Sequence, residues 1–346
     1  MKKKEFQEIF ATSFNDPAGW KQWFFAEVAN DDNQIYIGRD QSNRAQSALL
    51  MQPYDLAYQG RQLASEYMSC VATRPEARAK GVASALIREA LIDAARRGVA
   101  VCELIPAQPH LVYFYQKFGF SQVVYVDRKR FTALHTFDGG EGEIVVPDFA
   151  MLARLEAKQP CCVLHTEADY RNIMSDLKLD KGHAVAARTE AGEEAILFAA
   201  DDDGICKVKS LLYDTEAVGR KALAGLRELI GEKAVVVNTP PVSSAKWYLR
   251  PYGMMRILNP EQVLDALAAA HPTLRYIIKL TDDLLPDNDG MYILRNGKCT
   301  RADIKTGRCD LEVHSSTLTS VLFSEPKIAE VFDLPGVRPY MSLMLD

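Results

Sequence analysis

Apolar positions along the chain change period several times, and each change marks an element. FQEIFATSF (6–14) and WKQWFFAEV (20–28) repeat at three and four residues, the spacing of one helix face. Strand-like runs follow in QIYIGRD, QSALLMQPY, YMSCVAT, VAVCELIPA and QVVYVDRKRFTAL. The segment EARAKGVASALIREAL (76–91) breaks this series. There Val82, Leu86, Ala90 and Ala94, flanked by Ile87 and Leu91, form an apolar stripe at i, i+4, and Gly98 supplies a C-terminal stop. FDGGEGEIVVP (137–147) reads as a loop. After it come a helix (FAMLARLEA), strands (CCVLHT, HAVAART, EAILFAADD, CKVKSLLYD), the helix TEAVGRKALAGLRELIG and a strand (AVVVNTP). This second series mimics the order of the first without its motifs, as an internal repeat would. The last part carries a helix (EQVLDALAAAH), strands LRYIIKLTD, MYILR and KCTRAD, a turn at Asn296-Gly297, the alternating strand DLEVH, and helices SSTLTSVLF and EPKIAEVF. The pattern predicts three units, residues 1–140, 141–255 and 256–346, of α/β and α+β class.

Composition narrows what such a chain can be. With 346 residues, two or three cores are expected; 48% hydrophobic and 25% charged residues are those of a globular protein. No stretch approaches the roughly 18 apolar residues of a membrane span, and MKKKEFQEIF lacks the apolar centre of a signal peptide, so a cytoplasmic protein with no membrane partner is expected. Seven cysteines without a C-x-x-C pair argue against a disulfide framework and against a zinc site. Six histidines show no metal-ligand spacing, and DDDG at 201–204 lacks the remaining ligands of a calcium loop, so no metal is expected. A net charge of −5 with no basic block gives no support for nucleic acid binding.

Chemistry concentrates at residues 71–85. A strand ending in Val71, Ala72 and Thr73 leads to a basic turn with Arg78 and Lys80, then Gly81, then a helix whose first turn is small. Helix-start N–H groups left unpaired beside a positive dipole end form an anion site, most naturally for a pyrophosphate. Small residues matter because bulk there would hold phosphates off the amides. Neither G-x-x-x-x-G-K-[ST] nor G-x-G-x-x-G occurs at this turn.

Arg78-Ala79-Lys80-Gly81-Val82-Ala83 resembles the R/Q-x-x-G-x-G/A signature of the GNAT superfamily of N-acetyltransferases. Phe114, Tyr115, Lys117, Gly119 and Phe120 resemble that family's F-Y-x-K-x-G-F, in the expected order and spacing from Gly81. The resemblance implies acetyl-CoA as co-substrate. Ala79, Lys80, Gly81, Val82, Ala83 and Ser84, with Arg78, would hold its pyrophosphate, Val71, Ala72 and Thr73 its pantetheine and thioester, and His110 and Leu111 would contact it. Tyr115 would protonate the departing thiolate, and the other reading of Tyr115 is a packed aromatic. Trp20, Trp23, Phe24 and Glu27 fall where the family lines its acceptor cleft, with Asp16 a further acid that could draw a cation; the same helical spacing also describes a buried face.

With FxxxFNDPAGWKQWFF at the start, L-I-P-A in the middle, and LTDDLLPDNDGMYILRNGK and DLEVHSSTLTSVLF toward the end, the chain resembles across its whole length the enhanced intracellular survival (Eis) acetyltransferases. That likeness implies tandem GNAT-fold domains, the second degenerate, followed by a sterol-carrier-protein-like domain. It also implies a homo-oligomer, trimer or hexamer, and a base at the chain's last carboxylate. Here that residue is Asp346, which departs from the family by offering two carboxylates. The expected activity is acetyl transfer to a primary amine, on a small molecule or peptide, by direct attack in a ternary complex. Two readings stand against it: a non-catalytic acyl-CoA-binding regulator, and a lipid carrier acting through the third unit.

Overall fold

A computed structural model describes residues 2–241, 248–302 and 307–345. The chain runs α1 (Lys2–Phe10), α2 (Ala18–Trp23), β1 (Ile35–Arg39), β2 (Ala45–Tyr58), β3 (Arg61–Thr73), α3 (Val82–Arg96), β4 (Val101–Leu104), α4 (Leu111–Gln116) and β5 (Ser121–Phe131). Next come β6 (Glu143–Val145), α5 (Phe149–Ala157), β7 (Cys161–Leu164), α6 (Glu167–Leu179), β8 (His183–Arg188), β9 (Glu194–Asp202), β10 (Ile205–Tyr213), α7 (Glu216–Ile230) and β11 (Val235–Thr239). The remainder holds β12 (Leu249–Ile257), α8 (Pro260–Ala270), β13 (Tyr276–Thr281), β14 (Gly290–Arg295), β15 (Lys298–Ala302), β16 (Leu311–His314), α9 (Ser315–Leu322) and α10 (Pro326–Ala329).

Contacts divide the chain into two compact units. One comprises the residues up to Val124 together with Tyr252–Pro339; the other comprises Tyr125–Pro251 and Tyr340–Leu345. In the first, strands lie in the order β1-β2-β3-β4-β12, antiparallel except for the parallel pair β3 and β4. The stripe foreseen on α3 packs onto this sheet, and Leu86, Ile87, Ala90, Leu91 and Ala94 are all buried with Met68, Cys102 and Leu104. A separate sheet, β15-β14-β13-β16, belongs to the same unit, and its hairpin turns at Asn296 (φ 54°) and Gly297 (φ 74°), both left-handed as a two-residue turn demands.

The second unit repeats the first in strand order and sense. It reads β6-β8-β9-β10-β11-β5, again antiparallel but for one parallel pair, β10 and β11. Helix α7 covers this sheet through Val218, Ala222 and Leu226. Three elements have no counterpart in the sequence pattern: β6 lies within the segment that reads as a loop, α6 begins at a capping box in which Thr166 and Asp169 bond each other's backbone N–H, and β12 follows the second series of strands. The apolar end of the chain is tied into this unit. Tyr340 exchanges backbone bonds with Cys161 and Val163, its hydroxyl meets Ser210 at 2.8 Å, and Met341, Leu343 and Leu345 are buried. Asp346 lies outside the described residues.

Candidate active site

The geometry of the site begins with a break in β3. Ala48 faces Ala72 and Leu50 faces Ser69, so Leu49 is opposed by two residues, Cys70 and Val71. Cys70 takes φ 51°, a left-handed conformation that a bulge accommodates and a regular strand does not. On its other edge β3 pairs with β4 only from Ser65–Val101 to Tyr67–Glu103. Beyond that point the two strands part. A bulge beside a diverging parallel pair opens a cleft of about 690 Å³.

Three segments meet there. Val71 and Thr73 line the cleft from β3, and Arg78 and Ala83 close one end. The turn between β3 and α3 is held by Arg78, whose Nε donates to the Thr73 carbonyl at 3.2 Å. Ala79 (φ 59°) and Gly81 (φ 78°) are both left-handed. Nothing lies within 4 Å of a Cβ built on Gly81, so glycine is needed there for backbone conformation rather than for space. No side chain caps α3 and no acid sits in its first turn, while residues 78–81 are exposed. These helix-start N–H groups are open to an anion, and the residues present fit a pyrophosphate. Ala72 is buried, and Ala79, Lys80, Gly81, Val82 and Ser84 form the turn without lining the cleft.

The third segment is α4 and its approach. His110, Leu111, Phe114 and Tyr115 all line the cleft. Tyr115 is almost wholly buried, and its hydroxyl has no hydrogen-bond partner among the described residues. Burial, with the nearby Cys102 thiol adding to it, pushes the phenol up to about 12. Phe118 and Phe120 are core residues, with Phe120 at 6.1 Å from the Tyr115 ring. Gly119 (φ 81°) ends the segment against the guanidinium of Arg256, whose Nη1 donates to the Phe118 carbonyl. Arg256 is fixed in turn by two bonds to Asp282, at 2.7 and 2.9 Å, and both side chains are fully buried. This pairing had no signal in the sequence.

The aromatic residues read as an acceptor lining separate from the cleft. Trp20 and Phe24 stack at 4.7 Å inside a core with Phe6, Phe10 and Ile35; Trp23 packs on its edge and Glu27 is exposed. Phe14 and Asp16, in the connection between α1 and α2, line the cleft instead, and Phe10 of the same core also borders it. Met68, Cys70, Ile105 and Gln108 also line it and were not foreseen. Glu103, at the point where the strands part, is fully buried on the sheet face opposite to Cys102; burial holds its carboxyl well above the usual range, with Ser65 beside it. A larger groove of about 1030 Å³ runs beside the C-terminal half of α3, but its charges close on one another: Arg97 binds Glu66 and Asp93, and Tyr36 donates to Asp93. Among the described residues no cluster of His, Cys, Asp and Glu could hold a metal ion, and no helix is long and apolar enough to cross a membrane.

Comparison with known proteins agrees with this geometry. Residues 2–123 match the family model of the acetyltransferase (GNAT) domain. A GCN5-related N-acetyltransferase from Kribbella flavida superposes with a TM-score of 0.74 at 19% identity, over 99% of this chain and 95% of that one. One from Anabaena variabilis gives 0.74 at 16% identity, over 98% and 95%. Eis1 from Mycobacterium abscessus gives 0.68 at 16% identity, over 97% and 91%. No curated protein matches in sequence. Residues 2–123 therefore match the acetyltransferase (GNAT) domain, in a chain that has the fold of GCN5-related N-acetyltransferases.

Proposed function

We propose that the protein transfers acetyl from acetyl-CoA to a primary amine by direct attack in a ternary complex. The observation that carries this reading is the parting of β3 and β4 beyond Tyr67 and Glu103, with the uncapped start of α3 at one end and Tyr115 lining the same cleft. The turn at 78–84 would take the pyrophosphate, and Val71 to Thr73 the pantetheine arm. A backbone N–H of that strand would meet the oxyanion as the amine nitrogen attacks the thioester carbon. When the C–S bond breaks, Tyr115 would give its proton to the sulfur. A phenol held near 12 stays protonated at neutral pH and is a standing donor.

An amine of pKa about 10 must lose a proton before it attacks. The terminal Asp346 is our candidate for the base, on the Eis likeness, and the same likeness underlies a sterol-carrier-like role for the C-terminal part and assembly as a trimer or hexamer. Asp16, with Phe10 and Phe14, gives the cleft an acidic and aromatic border suited to a cationic acceptor.

The test is CoA thiol release from acetyl-CoA with polyamines, aminoglycosides and lysine peptides, on the intact protein, Tyr115→Phe and a chain lacking Asp346. Release that falls in both variants supports both roles. Release unaffected by the truncation keeps the transferase and rejects the terminal base. Acetyl-CoA binding with no turnover across the panel would favour a non-catalytic acyl-CoA binder.

A further inference from the structure

The second unit repeats the feature that opens the cleft in the first. β10 and β11 pair in parallel only from Cys206–Val235 to Val208–Val237. Against β9, Val208 faces Ala199 and Ser210 faces Phe198, so Lys209 is an extra residue at the end of that pairing. A bulge again sits beside a parting pair of strands. What differs is the connection to the helix. Residues 74–81 separate β3 from α3, whereas only Asp214 and Thr215 separate β10 from α7, and the first turn of α7 carries Glu216. An acid at a helix start repels phosphate. The repeat has lost the pyrophosphate end and kept the slot.

That slot is open, with a volume of about 240 Å³. Leu211, Tyr213, Leu223 and Val237 form its apolar walls, and Phe131, His135 and Phe137 line one side with ring centroids 4.5 to 4.9 Å apart. Gly219 lets the Tyr213 ring lie against α7, since a Cβ there would stand 3.0 Å from the ring. Two exposed cations edge the opening. Arg220 shares its charge with Glu216 at 3.1 Å, while Lys129 stands 5.8 Å from the centre of the Tyr248 ring and has no carboxylate partner among the described residues.

We propose that this slot in the second unit binds a small flat carboxylate, an aromatic acid of about a dozen non-hydrogen atoms. Its ring lies among Phe131, His135 and Tyr213, and its carboxylate faces Lys129 and Arg220. Aromatic walls favour a flat apolar body, and an ammonium without a carboxylate partner among the described residues selects an anion over a neutral or cationic analogue. The site is independent of acetyl transfer and stands whether or not the first unit turns over.

The experiment is titration of the full chain with 2-naphthoate, followed by ligand fluorescence and saturation-transfer NMR, with 2-naphthamide as the neutral control and CoA as competitor. The expected result is sub-millimolar binding of naphthoate, about tenfold or more tighter than naphthamide and undisturbed by saturating CoA. Lys129→Ala with Arg220→Ala should weaken naphthoate about tenfold and leave naphthamide unchanged; both positions are exposed, so the fold survives the change. Equal binding of acid and amide, displacement by CoA, indifference to the two substitutions, or no binding at millimolar naphthoate would each overturn the proposal.

Discussion

A Cβ built on Gly119 would stand 1.6 Å from Nη1 of Arg256. The glycine of the F-Y-x-K-x-G-F segment thus serves a buried arginine far along the chain, and the arginine serves α4, which carries Tyr115. Gly119 has two reasons to be glycine: φ 81° and the absence of room. Gly119→Ala should destabilise the protein by about 3 kcal/mol or more, since it combines backbone strain with displacement of a buried ion pair. Urea denaturation followed by Trp fluorescence measures it. An unchanged midpoint would mean that the guanidinium moves aside at no cost.

Breaking the pair from its other end distinguishes charge from packing. Asp282→Asn leaves Arg256 charged and fully buried with only neutral partners, and a loss of about 3 to 5 kcal/mol is expected. Replacing both together, Arg256→Met with Asp282→Leu, should recover only part of that loss, because it removes both buried charges but also takes the Asp282 carboxylate from the N–H groups of Leu284 and Leu285. A double-mutant cycle in denaturant checks both statements.

Tyr115→Phe keeps the packing of the ring and removes one proton. The turnover number should fall by about 100-fold to 10,000-fold, with acetyl-CoA affinity within about twofold of the parent. The pH profile carries a second expectation. Because burial pushes the phenol up to about 12, Tyr115 stays protonated throughout the working range and should produce no alkaline fall in kcat below about pH 11. A descending limb near pH 9 that vanishes in the Phe variant would show that the phenol is not raised.

The turn at Gly81 can be tested apart from chemistry. Gly81→Val meets no steric barrier, but a β-branched residue at φ 78° strains the backbone and covers the first N–H groups of α3. KM for acetyl-CoA should rise about tenfold or more, while folding stability drops by no more than about 2 kcal/mol. Isothermal titration with CoA and with dephosphorylated pantetheine separates the two ends of the cleft: only the former should weaken.

Glu103 gives a prediction for pH and stability. Its folded carboxyl titrates well above the unfolded value of about 4.3, so the folded chain holds a proton that the unfolded chain has released. Its contribution to stability is whole below that unfolded value and is lost as pH rises toward the folded one. Glu103→Gln copies the protonated form, and should raise stability at pH 7 and flatten the decline as pH rises from the unfolded value to neutrality. Denaturation midpoints across that range decide it. A variant less stable than the parent at pH 7 would mean that the ionised carboxylate is the stabilising form.

The sequence alone determined what depends on neighbours close along the chain. The period of α3, the Asn296-Gly297 turn, the basic turn ending in Gly81 and the repeated succession of elements in the second half follow from local spacing, because side-chain period and backbone conformation are set within a few residues. Thr166 and Asp169 give α6 a local signal of the same kind. Tertiary structure decided the rest. Which strands part, where Cys70 bulges, and whether an aromatic helix face lines a cleft or fills a core depend on partners distant in sequence. Trp20 and Phe24 went to the core while Phe14 and Asp16 reached the cleft, a choice their helical spacing could not express because it gives a face and not what the face meets. Arg256 and Asp282 are the plainest case: a buried ion pair has no periodicity, and only the fold that desolvates both charges gives either residue its reason.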